Sequence, residues 1–209
     1  GEIWHNSIDW LRGDQFDAVM NYPLLDSISD FWENPHITKT DFEREINRCF
    51  TMYMLQTNDV LFNLLDSHDT IRLITKLGDK SKFYQQLAML FTMPGTVCTF
   101  YGTEVALEGD FDPDCRRCMP WEKIELGEYK NEINTYKTLV NLRKNSPAAK
   151  SRHYKFTEHT ENKRVISYRK TSKEETIEVV LNCSNESVEI TQNIKEVLFA
   201  QHFAENILK

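Results

Sequence analysis

Residues 60–72, VLFNLLDSHDTIR, join a short apolar run to a dense polar turn, and this junction decides the predicted fold. The apolar run has the length and composition of a buried strand. Residues 79–95 then predict a helix, with Asp79 near its start and Pro94-Gly95 at its end. The β-branched and aromatic residues 96–104 predict a further strand. A strand, a helix and a strand at this spacing predict parallel strands joined by a crossover helix.

The same alternation continues towards the N-terminus. Residues 16–24, FDAVMNYPL, predict a strand, and a helical pattern begins within residues 24–32. The next helix is expected to start near Thr40 as its cap, with Glu43 reaching back to complete a capping box. That helix is expected to continue to residue 56, with apolar residues at positions 46, 50, 53 and 54 on one side. The predicted strands are short and almost entirely apolar, as expected when helices cover both faces of a parallel sheet.

The character of the sequence changes after Pro147. Residues 128–146 predict a long amphipathic helix that Pro147 ends, whereas the later segments alternate with a period near two. These segments are HYKFTEHT, RVISYRK, TIEVVLNCS and SVEITQ. Such alternation predicts antiparallel strands with one solvated face. We therefore predict an α/β domain over residues 1–147 and a small antiparallel all-β sandwich domain over residues 148–209.

The composition excludes several classes of function. The 209 residues carry a net charge of −7 and form no stripe of Lys and Arg, which argues against a nucleic-acid partner. No apolar run approaches the roughly 18 residues of a membrane span, and no secretory signal is visible. Five cysteines, an odd number without a dense framework, predict reduced thiols in a cytoplasmic protein. Cys115 and Cys118 have the spacing of half a zinc site, but no second pair follows, so no metal is predicted.

Polar and aromatic residues cluster where the predicted strands end. The clusters are Glu2-Ile3-Trp4-His5, Met20-Asn21-Tyr22, Ser67-His68-Asp69-Thr70 with Arg72, and Phe100-Tyr101-Gly102-Thr103-Glu104. In parallel α/β folds, ligands bind at the carboxyl ends of the strands. The clusters therefore predict one binding site at that edge.

The residue types in these clusters indicate acid–base chemistry on a sugar. Glu2 and Asp69 are two carboxylates from different strand ends, and glycoside hydrolysis needs a protonated acid and a negative charge beside an oxocarbenium-like centre. Trp4 and Tyr101 offer flat apolar faces to pyranose rings. The remaining candidates for bonding hydroxyls or orienting the carboxylates are His5, Asn21, His68 and Arg72.

Each candidate also has a purely structural interpretation. Glu2 is alternatively a solvated surface acid, and Asp69 is alternatively only the cap of a helix. His68 is alternatively a core histidine with satisfied hydrogen bonds. Trp4 and Tyr22 are alternatively members of the hydrophobic core. The residues alone leave these alternatives open.

Taken in order, the motifs resemble those of a known family. The series GEIWH, FDAVMNYPL, LLDSHDTIR, PGTVCTFYGTE and GDFDPDCRRCMPW is similar to the C-terminal part of the α-amylase family of glycoside hydrolases. The phrases MNYPL and DPDCRR are typical of its neopullulanase and cyclomaltodextrinase branch. The resemblance covers residues 1–145 closely. It implies the C-terminal part of a TIM (β/α)8 barrel, α-1,4 and, as a further option, α-1,6 glucan substrates, and retention of anomeric configuration.

The resemblance also implies roles for individual residues. Glu2 matches the general acid/base, and Asp69 matches the carboxylate that binds sugar hydroxyls and stabilises the transition state. Trp4 and His5 are expected near the sugar on the leaving-group side. The other positions that match the substrate cleft or its immediate surroundings are Asn21, Tyr22, His68, Arg72, Asp112, Asp114 and Arg116.

This sequence departs from the family pattern in two places. Thr103 stands where the family usually has an acid after the glycine. No aspartate in a GxRxDxA-type strand end is present, although that residue is the family's nucleophile. We therefore expect a piece of a larger enzyme that is inactive alone and that self-associates through unpaired strand edges. The resemblance also suggests a homodimeric parent, assembled through an N-terminal domain.

Several alternatives remain at this level. Within enzymes, the sequence also suits an oligo-α-glucosidase, a maltogenic amylase or a glucanotransferase. Outside enzymes, it suits a non-catalytic carbohydrate-binding or regulatory protein that kept the scaffold. No cofactor is expected, since calcium occurs in parts of the family but no cluster of oxygen ligands with loop spacing is visible here.

Overall fold

The computed structural model of the chain describes residues 1–190. The α-helices are α1 Tyr22–Glu33, α2 Lys39–Thr51, α3 Leu55–Asn58, α4 Leu73–Leu77, α5 Lys80–Thr92, α6 Trp121–Glu125, α7 Lys130–Asn145 and α8 Pro147–Lys150. The strands are β1 Phe62–Asn63, β2 Thr96–Val97, β3 Tyr154–Phe156, β4 Val165–Thr171 and β5 Thr176–Asn182. Short 3-10 turns occupy Ile8–Trp10, Thr103–Val105 and Asp114–Arg116.

The predicted parallel arrangement is confirmed around β1. Phe62 and Asn63 of β1 pair in parallel with Thr96 and Val97 of β2. On the other side of β1, Met20 forms a parallel bridge with Phe62, and its amide donates a 3.0 Å hydrogen bond to the carbonyl of Gly1. Gly1, Met20, β1 and β2 therefore form an arc, with the residues after each segment at one edge.

All three predicted parallel strands are shorter than expected, and the run that begins at residue 60 contributes only Phe62 and Asn63. The run 16–24 contributes only the bridge at Met20, because Pro23 in the first turn of α1 starts a helix directly after it. The run 96–104 contributes Thr96 and Val97. The chain then turns at Gly102, whose φ of +87° is in the left-handed region that favours glycine.

The predicted cap of α2 is wrong by two residues. Thr38, whose backbone is extended, accepts a 3.1 Å hydrogen bond from the amide of Asp41, and the Asp41 carboxylate accepts from the amide of Thr38. This capping box replaces the predicted pair of Thr40 and Glu43. Thr38 stands directly before the first helical residue, Lys39, whereas Thr40 already lies inside the helix. The helix also ends earlier than predicted, at Thr51 rather than at residue 56.

The helix and strand predictions around Pro147 are largely confirmed. α7 ends at Asn145, and Pro147 opens the short helix α8, whose cap Ser146 accepts a 3.0 Å hydrogen bond from the amide of Ala149. β4 pairs antiparallel with both β3 and β5. Within residues 148–190 these strands form one three-stranded sheet, so a second sheet of a sandwich is not seen there. Of the predicted strand 187–192, residues 187–190 have no regular structure, and the other two lie outside the described residues.

The largest described hydrophobic cluster joins the helices to this antiparallel sheet. Phe31 of α1 and Phe42 of α2 belong to the same cluster as Tyr168 of β4. The Tyr168 hydroxyl lies 2.6 Å from the hydroxyl of Thr92, and the guanidinium of Arg164 lies 3.9 Å from the centre of the Phe31 ring. The two predicted domains therefore share buried surface, which fixes the sheet against the helical layer. Their boundary near residue 148 stays a prediction.

Candidate active site

Glu2, His68 and Asp69 meet at the edge where the parallel segments end. Glu2 follows Gly1, the segment beside Met20, and the other two residues lie in the turn after β1. His68 Nε2 lies 3.8 Å from Oε2 of Glu2 and 3.4 Å from Oδ2 of Asp69. All three side chains are partly exposed, so they are accessible to a ligand. The structure thus brings the two predicted carboxylates to one site.

Tyr22 organises the Glu2 side of this site. Its hydroxyl donates a 2.5 Å hydrogen bond to Oε1 of Glu2 and lies 3.2 Å from the hydroxyl of Ser67. Burial raises the pKa of Tyr22, and the hydrogen bond to Glu2 raises it further, so the phenol stays protonated. Trp4 stacks on the Tyr22 ring with 3.9 Å between the ring centres and 16° between the planes. The predicted aromatic platform is therefore held by a buried tyrosine.

Arg116 organises the Asp69 side. Its Nη2 donates a 3.0 Å hydrogen bond to Oδ1 of Asp69, and its Nε donates a 3.0 Å bond to the carbonyl of His68. The same guanidinium lies 2.7 Å from Oδ1 of Asp112. Each acid of the site therefore has one oxygen held by a donor, Tyr22 or Arg116, while its other oxygen faces His68.

Arg72 was expected to bond sugar hydroxyls or to orient the carboxylates, but the structure buries it completely, with 0% of its surface exposed. Its Nε donates a 2.6 Å hydrogen bond to the carbonyl of Cys115, and its Nη1 donates a 2.5 Å bond to the carbonyl of Tyr101. The guanidinium also lies 4.0 Å from the centre of the Phe100 ring. Arg72 therefore ties three loops together and leaves no face for a sugar.

Asn21 is also buried rather than open to the site, with 2% of its surface exposed. Its side-chain amide donates a 2.8 Å hydrogen bond to the side-chain oxygen of Asn63 in β1. Because this bond joins two adjacent parallel segments, Asn21 fixes their carboxyl ends relative to each other. A direct contact of Asn21 with a sugar hydroxyl does not fit this placement.

The remaining candidates lie around the site at different distances from its centre. Tyr101 is exposed at its ring and donates a 2.9 Å hydrogen bond to the carbonyl of Arg117. Asp114 pairs with Arg117 rather than with Arg116, and hydrogen bonds from Arg117 lower the pKa of Asp114. His5 is exposed and lines a cavity of about 470 Å³ between α1 and α2, which Trp4 and Asp26 also line. Trp4 therefore borders this cavity and also packs on Tyr22, which bonds Glu2.

The departure at position 103 has a structural reason. The Thr103 hydroxyl donates a 2.8 Å hydrogen bond to Oδ1 of Asp66, and the amide of Leu73 donates a 3.1 Å bond to Oδ2. Burial raises the pKa of this Asp66 carboxyl. An acid at position 103 would face the buried carboxyl with a second negative group, whereas threonine supplies a donor.

Sequence reasoning did not assign roles to Asp66, Ser67 or Cys115. The Cys115 thiol is buried and donates a 3.0 Å hydrogen bond to the carbonyl of His68. Position within the motif gave no signal for their contacts with Thr103, Tyr22 and His68, because these contacts join residues 37 to 47 positions apart. Among the described residues, the ligand atoms of Glu2, His68 and Asp69 lie within 4.8 Å of one another, which is close enough for a shared metal ion.

Among residues 1–190, no helix has the length and apolar character to span a bilayer.

Known proteins are similar to this chain in both sequence and fold. Residues 1–178 match the family described as alpha amylase, catalytic domain. A cyclomaltodextrinase from Bacillus sp. is 42% identical over 183 residues, covering 87% of this chain and 32% of that protein. Neopullulanase 2 from Thermoactinomyces vulgaris is 36% identical over 199 residues, covering 94% of this chain and 33% of that protein. A solved cyclomaltodextrinase structure superposes with a TM-score of 0.82 at 41% identity, covering 90% of this chain and 32% of that chain. The chain thus spans about a third of the length of these relatives.

Proposed function

Since this chain belongs to the α-amylase catalytic-domain family, we propose that it is part of a retaining α-glucan hydrolase with Glu2 and Asp69 as catalytic residues. The observation that carries the proposal is the meeting of the two carboxylates around His68, with Trp4 stacked on Tyr22, the residue that bonds Glu2. The relatives named cyclomaltodextrinase and neopullulanase support an α-glucan as the substrate. The proposed reaction cleaves α-1,4 glucosidic bonds. Cleavage of α-1,6 bonds is a further option, which the assay on pullulan tests.

The geometry supports a role for each group. Glu2 is the general acid that protonates the glycosidic oxygen, and Tyr22 fixes its carboxyl by a hydrogen bond to one oxygen. Asp69 accepts hydrogen bonds from sugar hydroxyls and supplies negative charge near the developing oxocarbenium centre. Arg116 holds Asp69 from the opposite side and keeps its second oxygen turned towards the site. Trp4 covers the apolar face of the sugar on the leaving-group side.

Residues 1–209 by themselves are proposed to be inactive. Retention needs a carboxylate nucleophile about 5–5.5 Å from the acid, and this sequence contains no GxRxDxA-type aspartate to supply it. Asp69 is not a replacement, because its assigned role is on the hydroxyl groups rather than at the anomeric carbon. The proposed reaction uses side chains alone and needs no cofactor.

The experiment compares this chain with the longer gene product that contains it. Both are assayed on cyclodextrin, pullulan and starch, and the anomer released is followed by NMR. We expect hydrolysis with retention only in the longer protein, and its loss in Glu2→Gln of that protein. Saturable binding of maltose-type oligosaccharides without hydrolysis by the longer protein would favour the carbohydrate-binding alternative instead.

We also propose that the isolated chain self-associates and that it is cytoplasmic. β2 pairs only with β1 among the described residues, and Phe62 of β1 is 46% exposed, so both an edge and apolar surface are available. The cysteines of the described residues are free, which suits a reducing compartment. Light scattering that finds a monomer across a wide concentration range would rule out self-association, and cell fractionation tests the location.

A further inference from the structure

The hydroxyl of Ser67 contacts the supports of both acids of the site. The side chain is buried in the turn after β1, with 2% of its surface exposed. Its Oγ lies 3.2 Å from the hydroxyl of Tyr22 and accepts a 3.2 Å hydrogen bond from the amide of Asp69. The Tyr22 hydroxyl in turn donates to Oε1 of Glu2 at 2.5 Å. A continuous hydrogen-bond series therefore runs from the backbone of Asp69 to the carboxyl of Glu2.

The number of available protons fixes the direction of each bond in this series. A phenol carries one proton, and an ionised carboxylate only accepts. Of the two contacts of Tyr22, the shorter one, to Glu2, therefore takes the phenol proton. Ser67 has a proton of its own to donate to the Tyr22 oxygen, while its Oγ accepts from Asp69. Each hydroxyl thus accepts one bond and donates one, an arrangement in which neighbouring bonds strengthen each other.

The turn that carries Asp69 depends on the same side chain. The amide of Ser67 donates a 2.8 Å hydrogen bond to the hydroxyl of Thr70, and the Ser67 hydroxyl accepts from Asp69. Side-chain bonds of this kind fix the backbone of a short turn. The bonds of Thr70 stay within the turn, since its hydroxyl and its amide both pair with Ser67. Ser67 differs from Thr70 because its hydroxyl also reaches Tyr22 on the neighbouring segment.

We propose that Ser67 is a positioning residue whose hydroxyl holds the Tyr22–Glu2 pair and Asp69 in one fixed geometry. It acts through Tyr22 and the backbone of Asp69, since its side chain is buried and its hydroxyl pairs with both. Its effect on turnover rests on the proposed function, in which the two acids act on one glycosidic bond and their relative placement sets the rate. The hydrogen-bond series itself is measured on the chain without any glucan.

The first test is NMR of the complete chain with tyrosine isotopically labelled at Cζ, the carbon that bears the hydroxyl. Ser67→Ala removes the donor to the Tyr22 oxygen, so the Cζ resonance of Tyr22 is expected to shift. Thr70→Ala, in the same turn, keeps that donor and is expected to leave the resonance in place. The indole N–H signal of Trp4, which stacks on Tyr22, shows whether the ring has moved. An unchanged resonance in Ser67→Ala, or an equal shift in both variants, would overturn the proposal.

Tyr22→Phe keeps the test informative if Ser67→Ala does not fold. This variant identifies the Tyr22 signal and removes the acceptor of the Ser67 proton. The Ser67 oxygen then becomes a weaker acceptor, so the amide proton resonance of Asp69 is expected to move upfield. An Asp69 amide signal that Tyr22→Phe leaves unchanged would contradict the proposed series.

The second test is a double-mutant cycle in the longer gene product. Ser67→Ala is expected to lower kcat at least about fivefold, the effect of one neutral hydrogen bond, while KM changes less than about twofold. The loss in the combined variant with Tyr22→Phe should be at least about threefold smaller than the product of the single losses, because both changes interrupt the same series. Unchanged kcat or fully additive losses would overturn the positioning role. An unchanged longer protein without hydrolysis would instead refute the proposed function, and the NMR comparison decides the role of Ser67 separately.

Discussion

The hydroxyl of Tyr22 donates a 2.5 Å hydrogen bond to Oε1 of Glu2, across 20 residues of sequence. Tyr22 opens α1 directly after the Met20 bridge, and Glu2 follows Gly1 on the neighbouring segment. The bond therefore connects two adjacent strand ends at the proposed site. Because burial raises the pKa of Tyr22 above its ordinary value of 10.0, the phenol stays protonated at neutral pH and donates this bond.

Removing this donor is expected to lower turnover. A hydrogen bond to a charged group contributes about 1.5–3 kcal/mol, so Tyr22→Phe in the longer gene product should reduce kcat roughly 10- to 100-fold. The ring that supports Trp4 stays in place, so KM should change little. Tyr101→Phe, which loses only a bond to the carbonyl of Arg117, is the matched control. Equal kcat in Tyr22→Phe and the unchanged enzyme would show that the bond has no catalytic role.

Two neighbouring arginines are expected to behave differently. Arg116 holds Asp69 and the carbonyl of His68, whereas the ion pair of Arg117 joins it to Asp114. Arg116→Ala should lower kcat/KM for maltooligosaccharides at least about tenfold, since Asp69 loses the donor that orients it. Arg117→Ala should stay within about threefold, because exposed ion pairs contribute little. Steady-state kinetics on the longer gene product checks both, and the opposite order would contradict the assigned contacts.

Arg72 is expected to matter for stability rather than for sugar contact. Arg72→Lys leaves one or both of its buried carbonyl acceptors, on Tyr101 and Cys115, without a partner. The free energy of unfolding should fall by about 2–4 kcal/mol, as measured by urea denaturation of the chain. Arg12→Ala removes an exposed pair with Asp9 and should cost less than about 1 kcal/mol. Equal stabilities of the two variants would argue against the role of Arg72 in joining the loops.

The cap of α2 distinguishes the two threonines at its start. Thr38→Ala removes the side chain that accepts from the amide of Asp41 and should lower the free energy of unfolding by about 1 kcal/mol. Thr40→Ala removes an exposed residue inside the helix and should change it by less than about 0.5 kcal/mol. Chemical denaturation of both variants checks the order. A larger loss in Thr40→Ala would support the cap predicted from the sequence pattern.

Lys170 is expected to give the stability of the chain a pH dependence. Burial, with a smaller effect of Arg143, lowers the pKa of Lys170 to about 7, while the unfolded chain keeps the ordinary value of 10.5. Between these values the unfolded chain binds more protons, so the contribution of Lys170 to stability rises with pH from about 7 and is lowest below 7.

The measurement compares variants, because tyrosines and cysteines also titrate towards high pH. The gain in unfolding free energy of Lys170→Met over the unchanged chain should shrink by about 1 kcal/mol per pH unit between pH 7 and 9. Lys173→Met, at an exposed position in the turn between β4 and β5, should show no such trend. A constant difference between Lys170→Met and the unchanged chain across this range would contradict the lowered pKa.

Local patterns in the sequence determined the elements and their order. The helix predicted over 79–95 is α5, Lys80–Thr92, capped by Asp79, and the alternating segments after Pro147 are β3, β4 and β5. These outcomes depend on contacts within a few residues, which the sequence itself displays. The order of five motifs was enough to predict the family. The rule that ligands bind at the carboxyl ends of parallel strands was enough to predict that Glu2 and Asp69 lie at one edge.

Only the tertiary structure decided which polar side chains of the motifs face the site. Arg72 and Asn21 have the same polar character as His68, yet they are buried while His68 is open. Their partners are Cys115, 43 residues away, and Asn63, 42 residues away. Burial of a polar group depends on whether distant atoms satisfy its hydrogen bonds, and no local pattern contains that information. The sequence therefore determined which residues gather at the strand ends, and long-range hydrogen bonding decided which of them a ligand can reach.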